Sequence, residues 1–257
     1  WMALALLGEV GTPENELALK VLRDLPTGGL GLHLSLASLF MARAQWDSAR
    51  KELEEAIQID SQNAAAWEML ANVAQNEGNP KLMESSLRAL LARNPDHYLQ
   101  FQLAGTARYQ EGDLAGAETA FRNGLLRRRD PILLNNLASV VLERGGDRSE
   151  ALDLMNEALR RQPGHGGLLQ TRGEVLLALE RPDEAIRDFQ AGLKQQPRDY
   201  GLWLLLARGY LASGDRGRAA TVIQVLAART NDLPAADREK WSGLQRELGL
   251  APVPEAP

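Results

Sequence analysis

Three histidines, His33, His97 and His165, are the side chains best suited to metal or acid–base chemistry, and the sequence contains no cysteine. No two of them stand at a helical ligand spacing, and without thiolates no zinc set can be completed from them. His97 and His165 each follow a proline (Pro95, Pro163), which predicts surface-loop positions. A Ser-His-Asp grouping stays open, but no Gly-x-Ser-x-Gly turn presents a serine nucleophile. Gly28-Gly29-Leu30-Gly31 is glycine-rich. A phosphate loop, however, needs a preceding strand and a lysine or a dinucleotide spacing. This stretch lies between helical patterns and reads as a turn. The expectation is a non-catalytic chain with no cofactor and no metal.

Other polar groups suit recognition better than reaction. Arg127-Arg128-Arg129 and Arg160-Arg161 end helical patterns, where cations complement the negative end of the helix dipole. As neighbours in the pattern they could instead form a docking patch for an acidic partner. Gln102, Thr106 and Gln110 are four apart, so on a helix they form one row of hydrogen-bonding groups.

The elements that must carry these groups are short and repeated. In Gly166 to Asp199, Leu169, Gly173, Leu176 and Leu177 recur at helical spacing. Arg181-Pro182-Asp183 interrupts, and Pro182 fits the first turn of a second helix. Asp183 and Glu184 suit that N-terminus. Ala185, Ile186, Phe189 and Leu193 make its apolar stripe, and Pro197 ends it. Such a pair cannot bury its apolar faces alone; it needs a similar pair on either side.

Those neighbours are present. Steps of 34 through Ala185 meet Ala49, Met83, Ala117, Ala151 and Ala219. Four residues on stand Leu53, Leu87, Phe121, Met155, Phe189 and Ile223. A small residue followed by a large one lets one helix approach while a knob fills the gap beside it. The turn position holds Gly78, Gly112, Gly145 and Gly214, with Glu180 as the exception. A proline closes the unit at 95, 163 and 197.

The pattern resembles the tetratricopeptide repeat, W-x2-L-G-x2-Y, then A-x3-F, then P, on a 34-residue period. Trp67-x2-Leu70-Ala71 with Pro95, and Trp203-x2-Leu206-Ala207-x2-Tyr210 with Ala219, carry it. So do Ala117-x3-Phe121 and Ala185-x3-Phe189 with Pro197. The resemblance implies an all-α fold, a right-handed α-solenoid of antiparallel helix pairs with a C-terminal capping helix. Six repeats are expected at 30–63, 64–97, 98–131, 132–165, 166–199 and 200–233. A partial N-terminal repeat precedes them at 1–29, a cap follows at 235–249, and a Pro-rich tail at 250–257 completes the chain. In the fourth repeat Ala138 falls one residue short of register and the doubled Gly145-Gly146 restores it. This predicts a local change of helix angle, not a domain boundary. In the cap, Trp241, Leu244 and Leu248 are the expected buried face.

Composition narrows the partner. The 34 acids against 29 bases give a net charge of −5, which is no polybasic nucleic-acid footprint. No apolar run approaches the ~18–20 residues of a membrane span. Only five bases are lysine (20, 51, 81, 194, 240), a bias that points towards a bacterial source. Trp1 to Val10 reads as the remnant of a first helix, with Gly11-Thr12-Pro13 as its turn and Glu14 to Leu25 as its second helix. A chain opening inside a helix is expected to be part of something longer. The terminal segment from Pro252 is expected to be an extended, mobile tail.

In the family that the pattern resembles, first helices line a concave surface where ligands lie. The resemblance therefore implies a partner-binding groove at Asn72, Gln75, Gln102, Thr106, Tyr109, Asn135, Ser139, Gln170, Glu174 and Arg208, with Asn76 and Gln110 beside them. The lining is rich in amides and hydroxyls. It suits an extended protein or peptide segment, or alternatively a glycan. The carboxylate clamp of chaperone-tail receptors needs lysines on first helices; none of the five lysines falls there, and Glu68 precedes Asn72 by four residues. The expected function is a non-catalytic protein–protein interaction scaffold. The alternative is a docking or regulatory segment of a larger envelope protein or enzyme, in exopolysaccharide secretion or glycosyl transfer. Cytoplasm and bacterial periplasm both remain open.

Overall fold

The computed structural model describes residues 29–227, 229 and 232–250, together with Leu17, Lys20 and Val21, which are helical. The readings made for the rest of the N-terminal segment and for the tail after Leu250 lie outside the described residues.

Among the described residues from Gly29 onwards there are helices and no strand. They are α1 (Leu30–Ala42), α2 (Trp46–Ile59), α3 (Ala64–Asn76), α4 (Pro80–Arg93), α5 (Tyr98–Gln110), α6 (Leu114–Arg127), α7 (Pro131–Glu143), α8 (Arg148–Arg161), α9 (Gly166–Ala178), α10 (Pro182–Gln195), α11 (Tyr200–Ala212), α12 (Arg216–Ala227) and α13 (Ala235–Leu248). The chain forms two compact units, one ending at His97 and one beginning at Tyr98. The fold class is the α-solenoid of helix pairs that the resemblance implies.

The first unit holds α1–α4, each packed on the next. Leu36, Ala37, Phe40, Ala49, Leu53, Leu70 and Val73 form its core. The second unit holds α5–α13. Odd-numbered and even-numbered helices alternate as first and second members of pairs, and short turns make partners antiparallel. Each first helix α5, α7, α9 and α11 also touches the next first helix, and α11 touches α13. The first helices thus form a continuous layer in this unit. Phe121 and Phe189 are among its largest fully buried side chains, each contributing about 1.5–3 kcal/mol by leaving water.

The turns within pairs share one physical solution. At Gly78, Gly112, Gly145 and Gly214 the backbone is left-handed, with φ of 66°, 80°, 71° and 82°. Ala44 and Glu180 stand in the same place with φ of 54° and 58°. The next residue then donates its N–H back to the carbonyl five residues earlier, as in Asn79 to Ala74 and Asp113 to Arg108, both at 2.9 Å. This is the helix-ending Schellman geometry, which satisfies carbonyls left over at the C-terminus. Asn79 and Asp113 also cap the following helix, accepting from the N–H of Leu82 and Gly116. One residue therefore ends one helix and starts the next. The fourth pair separates the roles. Gly146 donates to Val141, and Asp147 caps α8 through the Ser149 N–H. The extra residue noted in the sequence lengthens this turn by one.

α13 packs on both α11 and α12. Trp241 and Leu244 are buried, and Leu248 is half-buried against the same cluster. Arg238, Glu239, Lys240, Arg246 and Glu247 are exposed.

A candidate docking groove on the first helices

The polar residues expected on first helices divide into groups. Asn72 and Gln75 are exposed on α3 in the first unit. The Asn76 amide donates to the Asn72 carbonyl at 2.9 Å and to its Oδ1 at 3.1 Å, so this donor is used locally. In the second unit Thr106, Tyr109 and Ser139 line a cavity of about 200 Å³ with Phe121, Asn136 and Val140. Gln170, Glu174 and Arg208 line a larger groove of about 740 Å³. Gln102 and Asn135 line neither. They are half-buried, and their carbonyl oxygens Oε1 and Oδ1 are buried without a hydrogen-bond partner among the described residues. They are not the open, solvated groups that the sequence predicts. Asn135 Nδ2 donates to Asn136 Oδ1 at 3.4 Å.

The larger groove is made by stripes at helical spacing. α9 contributes Gln170, Glu174, Leu177 and Ala178; α11 contributes Gly201, Leu204, Leu205 and Arg208; α13 contributes Lys240, Gly243, Leu244 and Glu247; Leu142 adds the end of α7. Residues spaced three, four and seven apart share one helix face, so three helices present one face each to one trough. Its floor is aliphatic and its rim polar. Gln170 Nε2 donates to Glu174 Oε1 at 3.1 Å. Lys240 lies 3.3 Å from Asp237. Arg208 is exposed and makes no ion pair among the described residues. The Glu143 carboxylate leads in raising the Tyr109 phenol above its ordinary value, with burial and the charge of Glu174 adding to it.

The candidate chemical groups are otherwise engaged. His33 Nδ1 lies 2.9 Å from the buried Glu52 carboxylate. His97 is a half-buried group, its Nε2 3.4 Å from Glu68, and so is not the open loop histidine expected. His165 is exposed and caps α9, accepting weakly from the Leu168 N–H at 3.4 Å. Arg127 and Arg128 stack over Phe101 and Tyr98 at 5.3 and 4.7 Å, and Arg129 pairs with Glu157. These arginines therefore work within the fold. Among the described residues no group of three or more His, Asp or Glu could hold a metal, and no helix is long and apolar enough to cross a membrane.

Sequence reading did not single out the aliphatic floor, Glu143 or the α13 wall. One signal was available. α11, Tyr200 to Ala212, is apolar almost all round, more than one buried face requires.

Repeated helix pairs with a trough along their first helices define a helical-repeat protein. Three tetratricopeptide repeat models match, at residues 30–73, 102–165 and 176–247. The chain belongs to the tetratricopeptide repeat family, whose fold is commonly a protein–protein interaction scaffold and typically non-catalytic. It is 26% identical over 185 residues to the transcription factor tau subunit sfc4 of Schizosaccharomyces pombe, a match that covers 66% of this chain and 18% of that protein. The chain thus spans under a fifth of that relative. Its fold is similar to the APC/C hetero-tetramer Cut9-Hcn1 (TM-score 0.61, 20% identity, covering 89% of this chain and 45% of that one). It is also similar to PilF of Pseudomonas aeruginosa (TM-score 0.55, 19% identity, 88% and 99%). Both likenesses are of fold.

Proposed function

We propose that the protein is a non-catalytic scaffold that holds a segment of a partner protein against the first helices of its second unit. The observation that carries this reading is the trough between α9, α11 and α13. Its floor is Leu142, Leu177, Leu204, Leu205 and Leu244, and its rim is Gln170, Glu174, Arg208, Lys240 and Glu247. An aliphatic floor supplies affinity by excluding water, and rim groups set register and selectivity. On this reading α1–α12 are six copies of one unit, and the helix after them closes the stack. The clamp for chaperone tails is not part of the proposal, since Lys51, Lys81, Lys194 and Lys240 lie on α2, α4, α10 and α13.

Gly243 offers the test. It lines the trough, and a Cβ added there meets nothing within 4 Å. Gly243→Trp fills the trough without crowding the backbone. Peptides captured from a random nine-residue library by the unaltered protein should be lost by this variant while its melting temperature stays unchanged. Equal capture by both would remove the trough as the binding surface.

A second reading is that the array is the docking segment of a longer protein. The small share of the yeast relative that the chain spans favours it.

A further inference from the structure

Resting on that reading of the trough, we infer that the segment held there also places a tyrosine side chain in the smaller cavity between α5 and α7. The two depressions lie on one layer of helices. α5 lines the cavity with Thr106 and Tyr109, α7 with Asn136, Ser139 and Val140, and Phe121 of α6 completes it. α7 also gives Leu142 to the trough. The first helices α5, α7, α9, α11 and α13 touch in succession, so an extended segment lying on them passes from one depression to the other. Packed helices stand about 8–10 Å apart, and extended chain rises about 3.3 Å per residue. One first-helix step therefore takes about three residues. The aliphatic positions of the segment then fall about three to eight residues from the tyrosine.

The lining selects the side chain. None of its six residues is charged. A carboxylate, ammonium or guanidinium entering would lose water and find no counter-charge in the lining. Carbon is received better. Phe121 and Val140 are buried, and Tyr109, 41% exposed, presents a second ring. Offset or edge-to-face contact with such rings is favourable. A volume of about 200 Å³ equals the share of about six or seven waters, the bulk of one aromatic side chain.

Polar groups in the same lining ask for a hydroxyl. The Thr106 hydroxyl and Asn136 Nδ2 make no hydrogen bond among the described residues, and Asn136 Oδ1 accepts only at 3.4 Å, from Asn135. Ser139 donates to the Asn135 carbonyl at 3.1 Å, which leaves its oxygen free to accept. Next along the two helices, Gln102 and Asn135 carry the buried carbonyl oxygens without partners among the described residues, a condition rare in folded proteins. Leucine or phenylalanine would dry Thr106 and Asn136 without pairing them, which costs free energy. A tyrosine hydroxyl donates and accepts, so it pairs them while its ring meets Phe121 and Val140.

The test uses the full chain on a support, random twelve-residue peptides, and sequencing of what is retained. Expected is enrichment of tyrosine with leucine or isoleucine about three to eight residues away. Thr106→Trp fills the cavity and removes no hydrogen bond, so its melting temperature should hold. It should weaken the best peptide about tenfold, and should not weaken the same peptide with its tyrosine changed to alanine. Asn136→Leu should abolish a preference for tyrosine over phenylalanine of about fivefold. Peptides that Gly243→Trp excludes but that carry no tyrosine, or a charged residue in its place, overturn the inference and leave the trough reading intact. Tyrosine peptides indifferent to Thr106→Trp, or a tyrosine preference unchanged in Asn136→Leu, overturn it too. No capture, or capture insensitive to Gly243→Trp, removes both. A dimer in sedimentation that Thr106→Trp dissociates gives the cavity to a second copy and overturns the inference.

Discussion

A Cβ placed on Gly173 would lie 2.2 Å from Cε1 of Phe189, so the ring occupies the space where any other residue's side chain would begin. Gly105 has the same relation to Phe121, at 2.4 Å. In the other pairs the corresponding first-helix residue is alanine (Ala37, Ala71, Ala138, Ala207) and the knob is aliphatic (Leu53, Leu87, Met155, Ile223). Size is thus traded across each pair. Gly173→Ala should destabilise by about 1–3 kcal/mol through overpacking, although glycine to alanine within a helix ordinarily stabilises by up to ~1 kcal/mol. The sign is therefore diagnostic. Adding Phe189→Leu should recover much of the loss, and denaturant titration of the double-mutant cycle should give a coupling of at least about 0.5 kcal/mol.

The turn before α10 carries a correctable strain. Glu180 holds a left-handed backbone at φ 58°, where four other pairs use glycine. Left-handed geometry costs a residue with a Cβ roughly 1–2 kcal/mol, part of which glycine returns as unfolded-chain entropy. Glu180→Gly should stabilise by about 0.5–1 kcal/mol by this balance, and Gly214→Ala should destabilise by about 1 kcal/mol or more. Chemical denaturation of the two variants measures both. A destabilised Glu180→Gly would mean that the carboxylate, not the backbone, matters at this turn.

These two devices explain what could be read from the sequence. Small-then-large pairs, turn glycines and closing prolines are local and periodic, so helix pairs and their positions follow from residue types alone. The trough does not. Leu142, Leu177 and Leu205 look in the sequence like more of the buried stripe. Only packing shows that they are left half-covered, with α13 as the far wall. Gln102 and Asn135 fail in the opposite direction. They are polar at positions taken to be open, yet their carbonyl oxygens are buried. His97 beside Glu68, and Arg128 over Tyr98, join residues that the repeat pattern does not pair.

Acid should weaken one inter-helix tie in a defined window. Glu157 on α8 binds Arg129 from the preceding pair and Arg161 on its own helix. The Arg129 hydrogen bond leads in holding its carboxyl below the usual range, with burial opposing. A carboxyl depressed in the folded state stabilises fully above its unfolded value, near pH ~4.3. That stabilisation is lost as pH falls through the folded value. Glu157→Gln should therefore lower the melting temperature at pH 7, and the difference should close below about pH 4. The pair is partly exposed, so the effect is about 1 kcal/mol or less and shrinks in high salt.

Arg172 on α9 ties three second-unit helices together. Its guanidinium donates to Asp188 on α10 at 2.6 and 2.7 Å and to Asn156 on α8 at 3.2 Å. Asp188 is buried, so Arg172→Met leaves an uncompensated carboxylate and should cost about 2–4 kcal/mol, less than a fully buried pair because the arginine is partly exposed. Replacing both, Arg172→Met with Asp188→Leu, should be much less costly than the single change. Equilibrium unfolding of the three variants decides it, and equal losses from the single and double changes would exclude this account.

The last helix has two tasks, and a mutation can separate them. Trp241 is buried, and its indole N–H donates to the Ile223 carbonyl at 3.0 Å. At the other end Arg216 donates to the Glu247 carbonyl at 2.8 Å. These contacts hold α13 over α11 and α12, and they also fix Lys240, Gly243, Leu244 and Glu247 as a wall of the trough. Trp241→Phe keeps the ring but orphans a carbonyl and should cost about 1 kcal/mol. Trp241→Ala adds a cavity and should cost about 3–5 kcal/mol. Hydrogen exchange in Trp241→Ala should show the amides of α13 losing protection first, since a terminal element opens with less free energy than the interior of the stack. Peptide capture should then fall although Gln170, Glu174 and Arg208 are unchanged. Capture that persists after α13 has lost protection would mean that the partner lies along α5 to α11 alone, and that the last helix only closes the stack.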